Sequence, residues 1–174
     1  LEGKGAYTIS TGLPFFDHML ELLSRHSLFD LKIKAKGDLE VDYHHTIEDI
    51  GLVLGAALDK ALESRQGITR YGWSFVPMDE ALSRVVIDLG GRPYLVYHMA
   101  CRKRKIMDFD ISLFKDFFRA FTVQSRMNLH IEQIYGREAH HACESVFKAL
   151  AKALRMACSI DERENRIPSS KGKI

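Results

Sequence analysis

His44-His45-Thr46-Ile47-Glu48 runs into Asp49-Ile50-Gly51-Leu52-Val53-Leu54-Gly55-Ala56-Ala57-Leu58, and ninety-six residues later His140-His141-Ala142-Cys143-Glu144 runs into Ser145-Val146-Phe147-Lys148-Ala149-Leu150-Ala151-Lys152-Ala153-Leu154. A polar cluster followed by an apolar run of this length reads as a helix with its N-terminus, so both motifs are expected to open helices. At 3.6 residues per turn the first histidine and the glutamate of each motif share a face, while the second histidine is turned about 100° away. One helix can therefore offer ligands to two metal ions. Imidazole with carboxylate suits Mn, Fe, Co, Ni or Zn better than Ca or Mg. A single His-x-x-x-Glu pair is most often solvated helix surface. Two copies of His-His-x-x-Glu, holding four of the eight histidines, favour metal instead.

Working outward, Phe16–Ile33 aligns without a gap on Phe114–Ile131 at an offset of ninety-eight, pairing Phe16 with Phe114, Ser27 with Ser125, Leu31 with Leu129 and Ile33 with Ile131. Past a two-residue adjustment the metal motifs coincide, and Leu54, Ala57, Leu58 and Ala61 meet Leu150, Ala153, Leu154 and Ala157. The chain reads as a duplicated helix-strand-strand-helix unit. Its halves are expected at 1–80, with the first motif, and 81–174, with the second motif and a polar tail. Within this frame Ala6–Ser10 alternates as a strand, Phe15–Leu23 is an amphipathic helix with Pro14 at its start, and Asp30–Lys36 is a strand. Leu39, Val41 and Tyr43 predict a further strand leading into the first metal helix, which should end near Gln66-Gly67. Trp73–Val76, Leu82–Leu89 and Tyr94–Ala100 predict strands, with turns at Pro77–Glu80 and Gly90–Pro93.

The duplication places His18 opposite Asp116, so each of two metals would gain one ligand there. The expected set is His18, His44, His45, Glu48, Asp116, His140, His141 and Glu144, four per metal, leaving room for substrate. His130 sits mid-strand and suits a hydrogen-bonded structural or supporting role; His98 reads as structural; His26 closes a helix, where a cation suits the dipole or a substrate contact. Ser169-Ser170-Lys171-Gly172 could wrap a phosphate oxygen, and taken alone could equally be a frayed tail.

Composition excludes several classes. With 174 residues and 46% hydrophobic content the chain is long enough for a real core. A net charge of +2 argues against a broad nucleic-acid surface, and the run Arg102-Lys103-Arg104-Lys105 reads as a solvated loop or an anion contact. Three cysteines without zinc-type spacing suit a reducing compartment. No apolar stretch is long enough for a membrane span and no signal peptide opens the sequence, so a soluble intracellular protein is expected. The opening Leu1-Glu2-Gly3-Lys4-Gly5 is not a methionine start, and upstream sequence is expected.

Taken together, Thr11–Leu20, Gly37-Asp38, His44–Asp49, Pro77–Leu82, Gly91-Arg92-Pro93, Leu129-His130-Ile131, His140-His141, Phe147-Lys148-Ala149 and Pro168–Gly172 resemble the signature segments of the imidazoleglycerol-phosphate dehydratase family of histidine biosynthesis, in order and across nearly the whole chain. The resemblance implies an α/β (α+β) fold like domain 2 of ribosomal protein S5, with helices packed between mixed β-sheets. It also implies trimers assembled into a 24-subunit shell, two Mn2+ per active site at subunit interfaces, and a cytoplasmic location, or the plastid stroma in a plant. By resemblance, His18, His45, His140 and Glu144 hold one Mn2+, while His44, Glu48 and His141 hold the other. Asp116 stands where many members carry a histidine, a shorter ligand that could act directly or through a bridging water. Arg70, Arg92, Lys148, Ser169 and Lys171 would bind the substrate phosphate, with Ser170 and His26 adjacent.

The implied reaction removes water from D-erythro-imidazoleglycerol phosphate to give imidazole-acetol phosphate, through a metal-held imidazolate and a diazafulvene-like intermediate. The family's acid-base glutamate lies on a strand upstream of the position of Leu1. Either this sequence is truncated, or Glu21 or metal-bound water takes the role. Two other readings remain at this stage, a metal-storage or sensing shell without turnover and a dinuclear phosphoester hydrolase. The phosphate-binding set argues against the first, and the absence of a bridging carboxylate argues against the second.

Overall fold

The computed structural model describes residues 1–174. Strand β1 (Tyr7–Ser10) leads through helix α1 (Pro14–Ser27) to β2 (Leu31–Lys34), which pairs parallel with β1 from Tyr7↔Leu31 to Ser10↔Lys34. Helix α2 (His44–Leu62) follows. A hairpin of β3 (Tyr71–Met78) and β4 (Ala81–Asp88) comes next, then β5 (Tyr94–His98) and the two-residue strands β6 (Lys105–Ile106) and β7 (Phe109–Asp110). A 3-10 turn (Ile111–Leu113) hands over to α3 (Phe114–Ser125), β8 (Asn128–Tyr135) and α4 (Ala139–Cys158). The main sheet has the order β3-β4-β8-β5, with β3/β4 and β4/β8 antiparallel and β5/β8 parallel.

The order β1-α1-β2-α2 recurs as β5-α3-β8-α4, each with a parallel strand pair bridged by a helix. Helix α4 lies on β3 and β4, α1 lies on α4 and on β1, and α2 packs along α3, so the helices fill the space between the two parallel pairs. This is a mixed α+β architecture. Its centre is aromatic: Phe16 from α1, Phe114, Phe117, Phe118 and Phe121 from α3, and Phe147 from α4 are all at most 1% exposed. Phe114 and Phe147 meet edge-to-face at 5.0 Å, and Phe16 meets Phe117 at 5.3 Å. Ring area of this kind dominates core energetics and leaves the helices little freedom to slide.

Two close approaches fix helix positions. A Cβ at Gly72 of β3 would fall 2.0 Å from the Ala153 carbonyl of α4, and one at Gly51 of α2 would fall 2.6 Å from the Phe117 carbonyl of α3. Only glycine lets these backbones meet.

Three local expectations are corrected. Leu39–Val41 is a turn, closed by Val41 N–H donating to the Asp38 carbonyl at 2.8 Å, and Asp42-Tyr43 leads irregularly into α2. No strand lies alongside to pair with it, and its apolar residues separate: Val41 is 68% exposed, while the Tyr43 ring stacks on Phe109 and its hydroxyl donates to Asp108 at 2.7 Å. Helix α2 ends at Leu62, short of Gln66-Gly67, because Glu63 and Arg65 take positive φ (48° and 57°) and turn Arg65 inward. There the buried guanidinium donates to the carbonyls of Leu89 (2.7 Å) and Ser125 (2.8 Å) and pairs with Asp59. Strand β3 runs through Pro77 and Met78, leaving only Asp79-Glu80 as the hairpin turn. Pro77 is tolerated because β3 is an edge strand.

Candidate metal centre

Both His-His motifs open helices, and both helices are capped by an acidic side chain two residues ahead of the first histidine. Asp42 Oδ1 accepts from His44 N–H at 2.9 Å; Glu138 Oε2 accepts from His140 N–H at 2.6 Å and from His141 N–H at 3.4 Å. An anion here satisfies otherwise unpaired amides and complements the helix dipole. Glu138 is anchored by Lys103 at 2.7 Å, and that contact, with the cap, holds its carboxyl below the usual range.

At the start of α4, His18 Nε2 and His140 Nε2 donate to the same oxygen, Glu144 Oε1, at 3.1 and 2.9 Å. Lys148 Nζ donates to the other, Oε2, at 2.5 Å. The three candidate ligand atoms from His18, His140 and Glu144 lie within 4.8 Å of one another. Burial works to raise the Glu144 carboxyl, yet Lys148, His18 and His140 outweigh it and hold it at about 2. It is therefore an anion at neutral pH. Adjacent ligands of an octahedral ion with bonds of 2.0–2.1 Å sit roughly 2.9 Å apart, close to the two nitrogen–oxygen spacings here, and two imidazoles with a carboxylate are a donor set that suits a transition-metal cation. Cys143, inside the motif, is 1% exposed and turned into the core, where burial raises its thiol.

At the start of α2, His44 Nε2 lies 3.4 Å from Glu48 Oε2, and its Nδ1 lies 3.4 Å from Asp116 Oδ2 at the start of α3. The chain thus brings together three members of one expected quartet, His18, His140 and Glu144, whereas in the other Glu48 and Asp116 flank opposite nitrogens of the His44 ring. The fourth members face elsewhere: the 62% exposed His45 side chain has Nδ1 3.9 Å from Asp38, and His141 donates from Nδ1 to Glu80 Oε2 at 2.7 Å, with Nε2 3.7 Å from Asp79. That bond raises His141 and holds Glu80 at about 2. A cavity of about 430 Å³ beside α4 is lined by His140, His141, Glu144, Lys103 and Lys105, so the basic run flanks this cluster.

The expected phosphate ligands divide into two groups. His26, at the end of α1, is kept below the ordinary imidazole range by burial and then by Lys148 and Lys152, which places it beside Lys148 near the α4 cluster. Arg70, Arg92 and the tail gather at the other end of α4. Arg70 N–H donates to the Ala157 carbonyl at 2.9 Å, and Ala157 lies about 25 Å along the helix from His140 at 1.5 Å per residue. The Arg70 guanidinium donates to Asp88 at 2.7 and 3.1 Å and to the Pro168 carbonyl at 2.7 Å, and Ile174 packs against Gly91, next to Arg92. Ser169 is engaged locally, its Oγ accepting from Lys171 N–H at 3.2 Å, with Ser170 between them. His130 and His98 lie on β8 and β5. Sequence reading assigned no role to Asp38, Asp79 or Glu80. Their acidic side chains in turns were the available signal, but only the fold brings them to His45 and His141.

Fold and clusters together define an α+β enzyme built around paired imidazole–carboxylate sets at helix N-termini. The profile of the imidazoleglycerol-phosphate dehydratase family matches residues 11–154, and the chain belongs to that family, a family of hydro-lyases. It is 53% identical to the imidazoleglycerol-phosphate dehydratases of Bordetella pertussis and Methylorubrum extorquens, in each case over 100% of this chain and 90% of the relative. Its fold is similar to the crystal structure of the Staphylococcus aureus enzyme (TM-score 0.86, 40% identity, 92% of each chain). It is also similar to that of the Pyrococcus furiosus enzyme in complex with (S)-C348 (TM-score 0.85, 36% identity, 97% of this chain and 91% of that one).

Proposed function

We propose that the protein dehydrates D-erythro-imidazoleglycerol phosphate to imidazole-acetol phosphate in histidine biosynthesis, using two Mn2+ per site in an assembly of identical chains. The observation that carries the reading is the cluster of His18, His140 and Glu144, whose ligand atoms already lie within 4.8 Å in a single chain. His18, His140 and Glu144, with His45 from a neighbouring copy, would hold one ion; His44, Glu48 and Asp116, with His141 from a neighbouring copy, would hold the other. When bound, the ions would supply Lewis-acid stabilisation of the substrate's imidazole as its anion, the form that favours loss of the adjacent hydroxyl.

The chain's own residues do the rest. Lys148, bonded to Glu144, and His26 would contact the substrate's polar chain beside the cluster. Arg70, Arg92, Ser169, Ser170 and Lys171 form a cationic, hydroxyl-bearing end suited to phosphate. Because that end lies about 25 Å from His140 along α4, ring and phosphate are gripped at once only if copies meet. The outer face of the main sheet supports such assembly, since Tyr71, Trp73 and Phe75 are each about half exposed. Trimers within a 24-subunit shell would satisfy both requirements. Anchoring a short substrate at both ends limits its rotation and presents the departing proton to one base. That base would be the glutamate expected upstream of the position of Leu1, with Glu21, whose carboxylate lies 4.0 Å from His18 Nδ1, as the alternative within this chain.

The test is direct: purified protein with Mn2+ should turn imidazoleglycerol phosphate into a ketone that absorbs after alkali treatment. Release of inorganic phosphate in its place, or tight Mn2+ binding by the assembled protein with no turnover, would overturn the reading, the latter in favour of a metal-storage shell.

A further inference from the structure

The turn between β3 and β4 sends a carboxylate to the N-terminus of α4, and both of its oxygens are committed. Glu80 Oε1 accepts from the backbone N–H groups of Arg137 at 3.2 Å and Glu138 at 2.8 Å. Oε2 accepts from His141 Nδ1 at 2.7 Å. A carboxylate only accepts, so His141 Nδ1 must carry the hydrogen, and in the neutral ring Nε2 keeps its lone pair. The neighbouring imidazoles are not held this way: His18 Nδ1 is 4.0 Å from Glu21 and His45 Nδ1 is 3.9 Å from Asp38, both beyond hydrogen-bond reach. The backbone bonds matter as much as the ring bond. They tie Glu80 to the residues that begin α4 and so hold the carboxylate against His141.

We propose that Glu80 is a positioning residue of the metal site, fixing His141 in the Nδ1–H tautomer so that Nε2 is presented as the ligand nitrogen. This rests on the reading above that His141 holds an ion. Carboxylate support of a ligating imidazole fixes ring orientation and increases its basicity, and its removal typically weakens metal binding about 10–100-fold.

Glu80→Gln isolates the effect. If the amide oxygen stays on the two backbone donors, the NH2 group faces Nδ1, which must then accept, and the proton moves to Nε2. If the amide flips, its NH2 is pressed against two N–H donors. Either way a near-isosteric change sets the ring against metal. Titration of the full assembled protein with Mn2+ should show two tight ions per chain for the parent. In Glu80→Gln one site should be about 10–100-fold weaker and the other unchanged. Glu80→Asp keeps the charge with a shorter reach and should recover part of the loss. Nitrogen-15 spectra of the metal-free protein at pH 9 should show His141 as Nδ1–H in the parent and Nε2–H in Glu80→Gln. Unchanged affinity at both sites in Glu80→Gln, or an Nε2–H tautomer in the parent, would overturn the assignment. A parent protein that binds fewer than two ions would fail the metal reading instead, and the spectra would still decide whether Glu80 sets the ring.

Discussion

The start of α4 and the start of α2 carry nearly the same five residues, yet they are not equally built. At α4, Glu144 is 7% exposed and its oxygens are divided among His18, His140 and Lys148 at 3.1, 2.9 and 2.5 Å. At α2, the Glu48 side chain is 44% exposed and touches only His44, at 3.4 Å, with Asp116 at the same distance from the other ring nitrogen. The neighbours explain the difference. Helix α4 is pressed between the main sheet and α1, which brings His18 and encloses Glu144, whereas α2 rests on α3 and leaves its outer face, including the 71% exposed Val53, open. One cluster is formed by the chain itself and the other is half-formed, so the same motif yields a rigid site only where packing removes water around it.

The sharpest way to break this contrast is Glu144→Gln, which removes the charge both imidazoles share. Mn2+ affinity at the α4 cluster should fall by more than the roughly 100-fold typical of a supporting residue, with turnover lost, while isothermal titration should still show binding at the α2 cluster. Gly72→Ala attacks the packing instead, because its methyl group would collide with the Ala153 carbonyl. Overpacking of this kind costs about 1–3 kcal/mol, and chemical denaturation should show it together with weakened metal binding at α4 but not at α2.

Acid probes the α4 cluster in the metal-free protein. Glu144 is held at about 2, below its ordinary value of 4.5, so its contribution to stability is complete above pH 4.5 and is lost as pH falls toward 2. Melting temperatures from pH 6 to 2 should drop less steeply in Glu144→Gln than in the parent. Lys148→Met should shift the Glu144 titration upward, since Lys148 is among the groups that lower it. The smallest effect is expected at Asp116→Asn, the proposed ligand beside His44, where Mn2+ binding should weaken by about tenfold; a change as large as that of Glu144→Gln would erase the distinction.

Much of this organisation is legible in the residues. The two motifs, the apolar runs behind them and the ninety-six-residue offset give the helices, and the alternation in Leu82–Leu89 and Tyr94–Ala100 gives β4 and β5. The same alternation in Leu39, Val41 and Tyr43 misleads, because a period of two marks a strand only where another strand lies alongside. The end of α2 was equally hidden, since Arg65 turns inward to reach carbonyls that sequence cannot place beside it.

The sequence alone determined the ligand types, their spacing on each helix and the class of ion they suit, because helical periodicity fixes which side chains share a face. Tertiary structure decided which ligands meet. It joined His18 to His140 and Glu144, set His45 and His141 aside from their quartets, and carried Arg70 and the tail to the far end of α4. Those outcomes depend on contacts between residues distant in the chain, where burial and backbone approach, not local pattern, set the geometry.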